Sequence, residues 1–292
     1  MAGRLTDCES FRGVISDWAF EKSHPSLRVR IARIRARLSR GSNFPSWTTL
    51  VPVLPASKWA GYFVYLPDGL LKSRHVFTLK ELRRQGFAVA VVCATTNEEA
   101  VPKELFGSAD ALFWKSLDGF DFSAFSILVN SLANFSPNCD LFVMNDSVFG
   151  PFTDLNSSMN KSIWDFTGFT GLAWPENHIQ SYAWFIRKLD ANRADALSKI
   201  LSLNYSYNEF RDVVYMQESK LASLASESMS VGCFWFSSSL EPKDLTVLNP
   251  VALLDRGFPF IKRSLFGKFD YLNSYPDLTD RLISSGHDFE ML

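Results

Sequence analysis

Leu141-Phe142-Val143-Met144-Asn145-Asp146-Ser147-Val148-Phe149-Gly150-Pro151 decides how this chain is read. Four apolar residues run into three polar ones, and a Gly-Pro pair follows. A short continuous apolar run that ends in a turn signal predicts a strand buried on both faces, as in a parallel sheet. The polar triplet then stands at the carboxyl end of that strand, where open α/β sheets bind ligands. A carboxylate between an amide and a hydroxyl is oxygen donor chemistry, suited to Mg or Mn together with a diphosphate. The other reading is a strand end closed by an Asx turn.

Strand and helix patterns alternate on both sides of this stretch. Gly61 to Leu66, Phe87 to Ala94 and Ala109 to Trp114 read as strands. Ser73 to Gln85, Glu98 to Phe106 and Phe122 to Leu132 read as helices between them. Such alternation predicts right-handed crossovers and a mostly parallel sheet with helices on both faces. Beyond Pro151 the pattern loosens. Phe166 to Gly171 and Gln180 to Ile186 read as strands, and Asp190 to Leu203 and Glu218 to Ala225 as helices.

The amino-terminal part differs in character. In Ser26 to Gly41, SLRVRIARIRARLSRG, the residues Leu27, Ile31, Ile34 and Leu38 form one helical stripe, and six arginines surround it. Ser26 reads as the cap and Gly41 as the stop. Two readings stand level, a helix that packs its stripe on the core and a basic amphipathic helix lying on an anionic membrane surface, with an RNA-holding helix well below both. Ser42 to Ser57, with three prolines, reads as an irregular lead-in. The expected division is a helical extension over 1–57 and a main domain over 58–292.

Bulk properties narrow the function classes. A hydrophobic fraction of 47 % over 292 residues supports a substantial core. The net charge of −1 supplies no general attraction for nucleic acid. Cys8, Cys93, Cys139 and Cys233 lack metal-type spacing, and scattered reduced thiols fit a cytoplasmic protein. No apolar run reaches membrane-spanning length, and Met1 to Cys8 lacks a signal-peptide core.

Three further polar clusters interrupt apolar segments. Lys115-Ser116-Leu117-Asp118-Gly119-Phe120-Asp121-Phe122 follows a strand and opens a helix. Gly119 lets backbone approach a ligand there, and Asp121 is also the natural helix cap. Asp165 lies between aromatic residues, where desolvation can raise a pKa into a useful range for a base; the other reading is a surface carboxylate next to a turn. His178, Gln180 and Tyr182 alternate on one strand face, a pattern that suits a sugar or nucleoside and equally suits ordinary packing. Lys262 and Arg263 follow Gly257-Phe258-Pro259-Phe260-Ile261 and offer two cations to a diphosphate.

Taken in order, these segments resemble the rhamnan synthesis protein F family of bacterial polysaccharide glycosyltransferases. The resemblance rests on Asn145-Asp146-Ser147 with Gly150-Pro151, on Asp165-Phe166-Thr167-Gly168-Phe169-Thr170, and on His178-Ile179-Gln180-Ser181-Tyr182. Tyr215-Met216-Gln217-Glu218, Asn249-Pro250 and Gly257 to Lys262 complete it. Coverage is about residues 60 to 265. Gly119, Asp121 and Phe122 retain a further family signature, in which Leu117 replaces an asparagine. The early His-Tyr-Asp-like element survives only as Tyr65-Leu66-Pro67-Asp68. Both departures bear on donor identity.

The resemblance implies a GT-A-like α/β fold and an inverting hexosyl- or rhamnosyltransferase. Its donor would be a nucleotide sugar, and its acceptor a glycan or lipid-linked glycan of O-antigen or lipopolysaccharide type. Asp146 would face the diphosphate directly or through Mg or Mn, with Asn145 and Ser147 beside it. Gly119 and Asp121 would border the nucleotide, His178 and Gln180 would line the donor site, and Lys262 and Arg263 would hold phosphate. Asp165 and Glu218 are the candidate catalytic bases. A lipid-linked acceptor would bring the protein into peripheral contact with the inner membrane. The rival expectation is a non-catalytic glycan-binding or scaffold subunit. A methyltransferase is a third, disfavoured because no Gly-rich loop follows the first strand.

Overall fold

The computed structural model describes residues 13–38, 44–239, 244–272 and 275–287. Cys8, Arg40 and the predicted helix stop at Gly41 lie outside them. In chain order the elements begin with β1 (Val14–Ala19), α1 (Leu27–Leu38), β2 (Trp47–Val51) and β3 (Lys58–Tyr65). There follow α2 (Ser73–Arg84), β4 (Ala88–Ala94), α3 (Glu104–Ser108), β5 (Ala111–Lys115), α4 (Phe120–Phe135), β6 (Cys139–Asn145) and β7 (Val148–Phe149). Next come α5 (Leu155–Lys161), β8 (Phe166–Leu172), β9 (His178–Ile179), β10 (Ala183–Leu189), α6 (Ala191–Leu197) and α7 (Phe210–Val213). A π-helical turn, Val214–Glu218, leads into α8 (Ser219–Ala225), and β11 (Val231–Ser237) follows. The chain closes with α9 (Leu245–Leu248), α10 (Pro250–Leu254), β12 (Ile261–Lys262) and α11 (Tyr275–Ser284).

The main sheet runs β1-β11-β8-β10-β6-β3-β4-β5-β2, with β9 added to β8. The block β6-β3-β4-β5 is parallel throughout. Here the expectation of a mixed α/β architecture around a mostly parallel sheet is met. β10 enters antiparallel between β6 and β8, and β1 and β2 close the two edges antiparallel. The segment that reads as an irregular lead-in therefore contains a strand. Trp47 to Val51 pairs with β5 through backbone bonds that its prolines flank rather than interrupt.

Strand residues alternate between two cores, as the pleat requires. From β3, Trp59 and Phe63 join one core with α4, α6 and α8, while Ala60, Tyr62 and Val64 join the other with α2, α3 and α5. β4 divides in the same way, Ala90 and Val92 against Val89, Val91 and Cys93. Cys93, Cys139 and Cys233 are free, buried thiols, which fits their reading as small core residues.

This topology positions the site. The chain steps from β3 to β4 to β5 in one direction, then returns to lay β6 on the other side of β3. The carboxyl ends of β3 and β6, at Tyr65 and Asn145, therefore flank a topological switch point, the usual place for a crevice in an open α/β sheet.

Candidate functional site

A cavity of about 500 Å³ opens at that switch point. Its walls come from the ends of β3 (Phe63, Tyr65) and β6 (Asn145, Asp146, Ser147), from the β5–α4 turn, and from the α7 to α8 helical run. Four acidic residues, Asp118, Asp121, Asp146 and Glu218, line it.

The β5–α4 turn is held from beneath by Lys115. This lysine is fully buried, and its ammonium donates to the carbonyls of Ser116 (2.8 Å) and Asp118 (2.7 Å). Burial pushes its pKa down to about 7, with Asp118 opposing. Gly119 follows at φ 85°, and its amide donates to Asn208 Oδ1 at 2.8 Å. A Cβ here would meet Ser123 and Ser206 at 2.8–2.9 Å, so only glycine fits. Phe120, at φ 48°, keeps the chain left-handed for one more residue and lines the cavity. Such strain in a bulky residue at a cavity wall is a mark of a constrained site.

Asp121 then receives the Asn145 side-chain amide at 2.9 Å. Desolvation, and after it the charge of Glu218, pushes the Asp121 carboxyl up to about 6, against that hydrogen bond. Asn145 Oδ1 accepts from the Ser147 amide (3.1 Å) and hydroxyl (2.5 Å), so the predicted Asx turn is present. Asn145 closes the turn, and Asp146 beside it lines the cavity. Glu218 Oε1 accepts from the Ser181 amide (2.8 Å) and hydroxyl (3.0 Å).

Asp146 is ringed by donors. Its Oδ2 lies 3.4 Å from the Tyr65 amide nitrogen, 3.4 Å from His75 Nε2 and 3.5 Å from Arg263 Nη1. Arg263 Nη1 also donates to the Asp146 carbonyl at 2.9 Å, and the Arg263 amide donates to the Ser147 carbonyl. Burial holds His75 below its ordinary pKa, and its Nδ1 accepts from the Lys72 amide. Arg74 lies near the same carboxylate. Burial, then repulsion from Arg263, lowers its pKa, and its buried Nε has no hydrogen-bond partner among the described residues. An orphaned guanidinium N–H of this kind is costly unless a ligand meets it.

The donor set suits a metal ion poorly. Asp146 Oδ2 already faces an imidazole, a guanidinium and an amide N–H, and Asn145 Oδ1 accepts two hydrogen bonds. Among the described residues no cluster of three or more His, Cys, Asp or Glu side chains could hold a metal. Arg74 and Arg263, which stand beside Asp146 without lining the cavity, are suited to phosphate oxygens.

The remaining sequence candidates lie elsewhere. Asp165 does not line the cavity; it pairs with Arg193 at 2.8 Å and accepts from Ser230. Partial burial opposes it, yet the Ser230 and Arg193 bonds hold its carboxyl below the ordinary range, contrary to the raised value expected from its aromatic neighbours. His178 is buried on β9 beside the Glu176 carbonyl. Gln180 and Tyr182 lie between β9 and β10 rather than on one strand, and both hydrogen-bond Thr170. Lys262 stacks over the Tyr182 ring at 4.2 Å. Conversely, the sequence reading missed Tyr65, Arg74, His75, Ser181 and Asn208 as neighbours of the site. Tyr65 and Ser181 lie in motifs that were read for other residues, and no local motif marks Arg74, His75 or Asn208, which long-range contacts bring in.

The family model described as "Rhamnan synthesis protein F" matches residues 89–285. The chain belongs to the rhamnan synthesis protein F family. That match spans β4 to α11 and includes Asp121, Asp146 and Glu218. No curated protein sequence matches. Among solved structures, this family member is similar to HddC from Yersinia pseudotuberculosis, at 10 % identity and a TM-score of 0.38, covering 62 % of this chain and 92 % of that one. It is also similar to S. aureus TarS 1-349, at 10 % identity and a TM-score of 0.36, covering 78 % of each chain. A putative nucleotide-diphospho-sugar transferase from Desulfovibrio desulfuricans G20 gives 11 % identity and a TM-score of 0.32, covering 79 % and 96 %. These are loose likenesses.

Proposed function

We propose that this rhamnan synthesis protein F family member is a GT-A-like glycosyltransferase that works at the switch-point cavity. It moves a hexosyl or rhamnosyl unit from a nucleotide-diphosphate donor onto a growing cell-surface polysaccharide. The observation that supports this most is the meeting of Asp121, Asp146 and Glu218 in one cavity, with Arg74 and Arg263 just behind Asp146.

The nucleotide lies along the Gly119 turn, which lines the cavity and opens α4. The donor diphosphate reaches across the Asp146 turn to Arg263 and Arg74, whose guanidinium groups offset its charge as it departs. Asp146 holds Arg263 in place, and its charge acts on Arg74 nearby. An acceptor hydroxyl attacks the anomeric carbon, the bond from that carbon to the phosphate oxygen breaks, and Glu218 takes the hydroxyl proton. One displacement inverts the anomeric configuration. Asp121 hydrogen-bonds sugar hydroxyls. A lipid-borne acceptor would bring the protein to a membrane surface.

The rival reading is a glycan-binding or scaffold subunit, favoured by the engagement of Asp146 with protein donors. One experiment separates the two. A thermal-shift screen of nucleotide sugars identifies the donor by a rise in melting temperature, and release of nucleoside diphosphate from that donor is then measured. Release that falls about a hundredfold in Asp146→Asn supports the transferase. A donor that binds without any release supports the scaffold.

A further inference from the structure

Helix α1 packs with its apolar stripe outward. Val29 and Ala36 are buried against the core, and Arg33 beside them pairs with Glu176 and donates to the Tyr215 carbonyl and Ser219 hydroxyl. Leu27, Ile31 and Ile34 are 72 %, 45 % and 59 % exposed. Their i, i+4, i+7 spacing places them in one ridge. By the same periodicity Arg28 and Arg35 run along one side of that ridge and Arg30 and Arg37 along the other, all exposed. The expectation that the stripe packs on the core is thereby excluded for these three residues. An aliphatic ridge held in water is unfavourable, and its arginine rows would repel the same ridge on a second copy.

A second cavity, about 660 Å³, opens beside Arg37. Arg33 in its wall is already paired with Glu176. Lys22, Arg37, Lys199 and Lys220 then face one remaining carboxylate, Glu227. Lys220 is half-buried and forms no ion pair among the described residues. Burial, then the charges of Arg33 and Arg37, pushes its ammonium down to about 8, an excess of positive charge that a bound anion would relieve.

We infer that this face docks on an anionic lipid bilayer, with the ridge of α1 in the interface, its arginines among the headgroups and the cavity around one lipid phosphate. Apolar burial and attraction to anionic headgroups act together in such binding. The inference stands whether or not the Asp146 cavity transfers sugar.

Flotation of the full chain with vesicles tests it, using phosphatidylcholine alone and equal parts phosphatidylcholine and phosphatidylglycerol. The expected result is at least about tenfold stronger binding to the anionic vesicles, lost at high salt. Ile31→Ser with Ile34→Ser should abolish binding with the melting temperature unchanged because the ridge is exposed, and Lys220→Ala should weaken binding several-fold. Equal binding to both vesicle types overturns the inference. So does a dimer that the ridge variant dissociates, or tighter binding of a short RNA or of soluble glycerol phosphate than of vesicles. Donor turnover is measured on the same samples without vesicles. Vesicle binding without turnover leaves this inference standing and removes the transferase.

Discussion

The Asn145 side-chain amide donates to Asp121 Oδ2 at 2.9 Å. This bond ties the end of β6 to the first turn of α4 across the mouth of the cavity. It holds one carboxylate in a desolvated position that faces another, Glu218.

That position makes stability depend on pH. The Asp121 carboxyl, at about 6 when folded against an ordinary 3.8, binds its proton more tightly in the folded state. Its contribution therefore favours folding at low pH and is lost as pH rises from about 4 through 6. Asp121→Asn removes the effect. Its melting temperature should exceed that of the wild type at pH 7.5, by an amount corresponding to about 3 kcal/mol, and the excess should vanish near pH 4. An excess that stays constant with pH would contradict the assignment.

Glu218 and Asp165 separate by their surroundings. Glu218→Gln should lower kcat about a hundredfold or more while leaving donor KM nearly unchanged. Asp165→Asn should leave kcat alone and cost at most about 1 kcal/mol of stability, because its pair with Arg193 is partly exposed. Steady-state kinetics on both variants decide; an inactive Asp165→Asn would reverse the roles.

Arginines in place of a metal predict a reaction indifferent to chelation. Sugar transfer should continue in EDTA and fall about a hundredfold in Arg263→Ala, without rescue by Mn. Loss of activity in EDTA with recovery on adding Mn would refute the arginine clamp.

Gly119→Ala should lose about 1–2 kcal/mol from the left-handed backbone, and more from contact with Ser123 and Ser206. Denaturant unfolding measures the loss. A variant as stable as the wild type would show that the turn rearranges freely.

Much of the parallel block was readable because its signals are local. Continuous apolar runs and helical periodicity mark β3, α2, β4, β5, α4 and β6 to within a few residues. The Asn145-Asp146-Ser147 turn was readable for the same reason, since its hydrogen bonds span only two residues. β1 and β2 were missed: as antiparallel edge strands they depend on partners in β11 and β5, distant in sequence. The raised pKa weighed for Asp165 is not found because Arg193 and Ser230, distant in sequence, meet its carboxylate and outweigh its partial burial.

From residue order alone come the strand–helix rhythm, the polar triplet at a strand end and an amphipathic, arginine-rich helix, all properties of segments a few turns long. The packed chain alone decided which carboxylates share a cavity, which arginines stand behind Asp146 and which way the ridge of α1 faces. These depend on crossovers and on burial against distant partners, and the free energy that selects them belongs to the whole core rather than to any one segment.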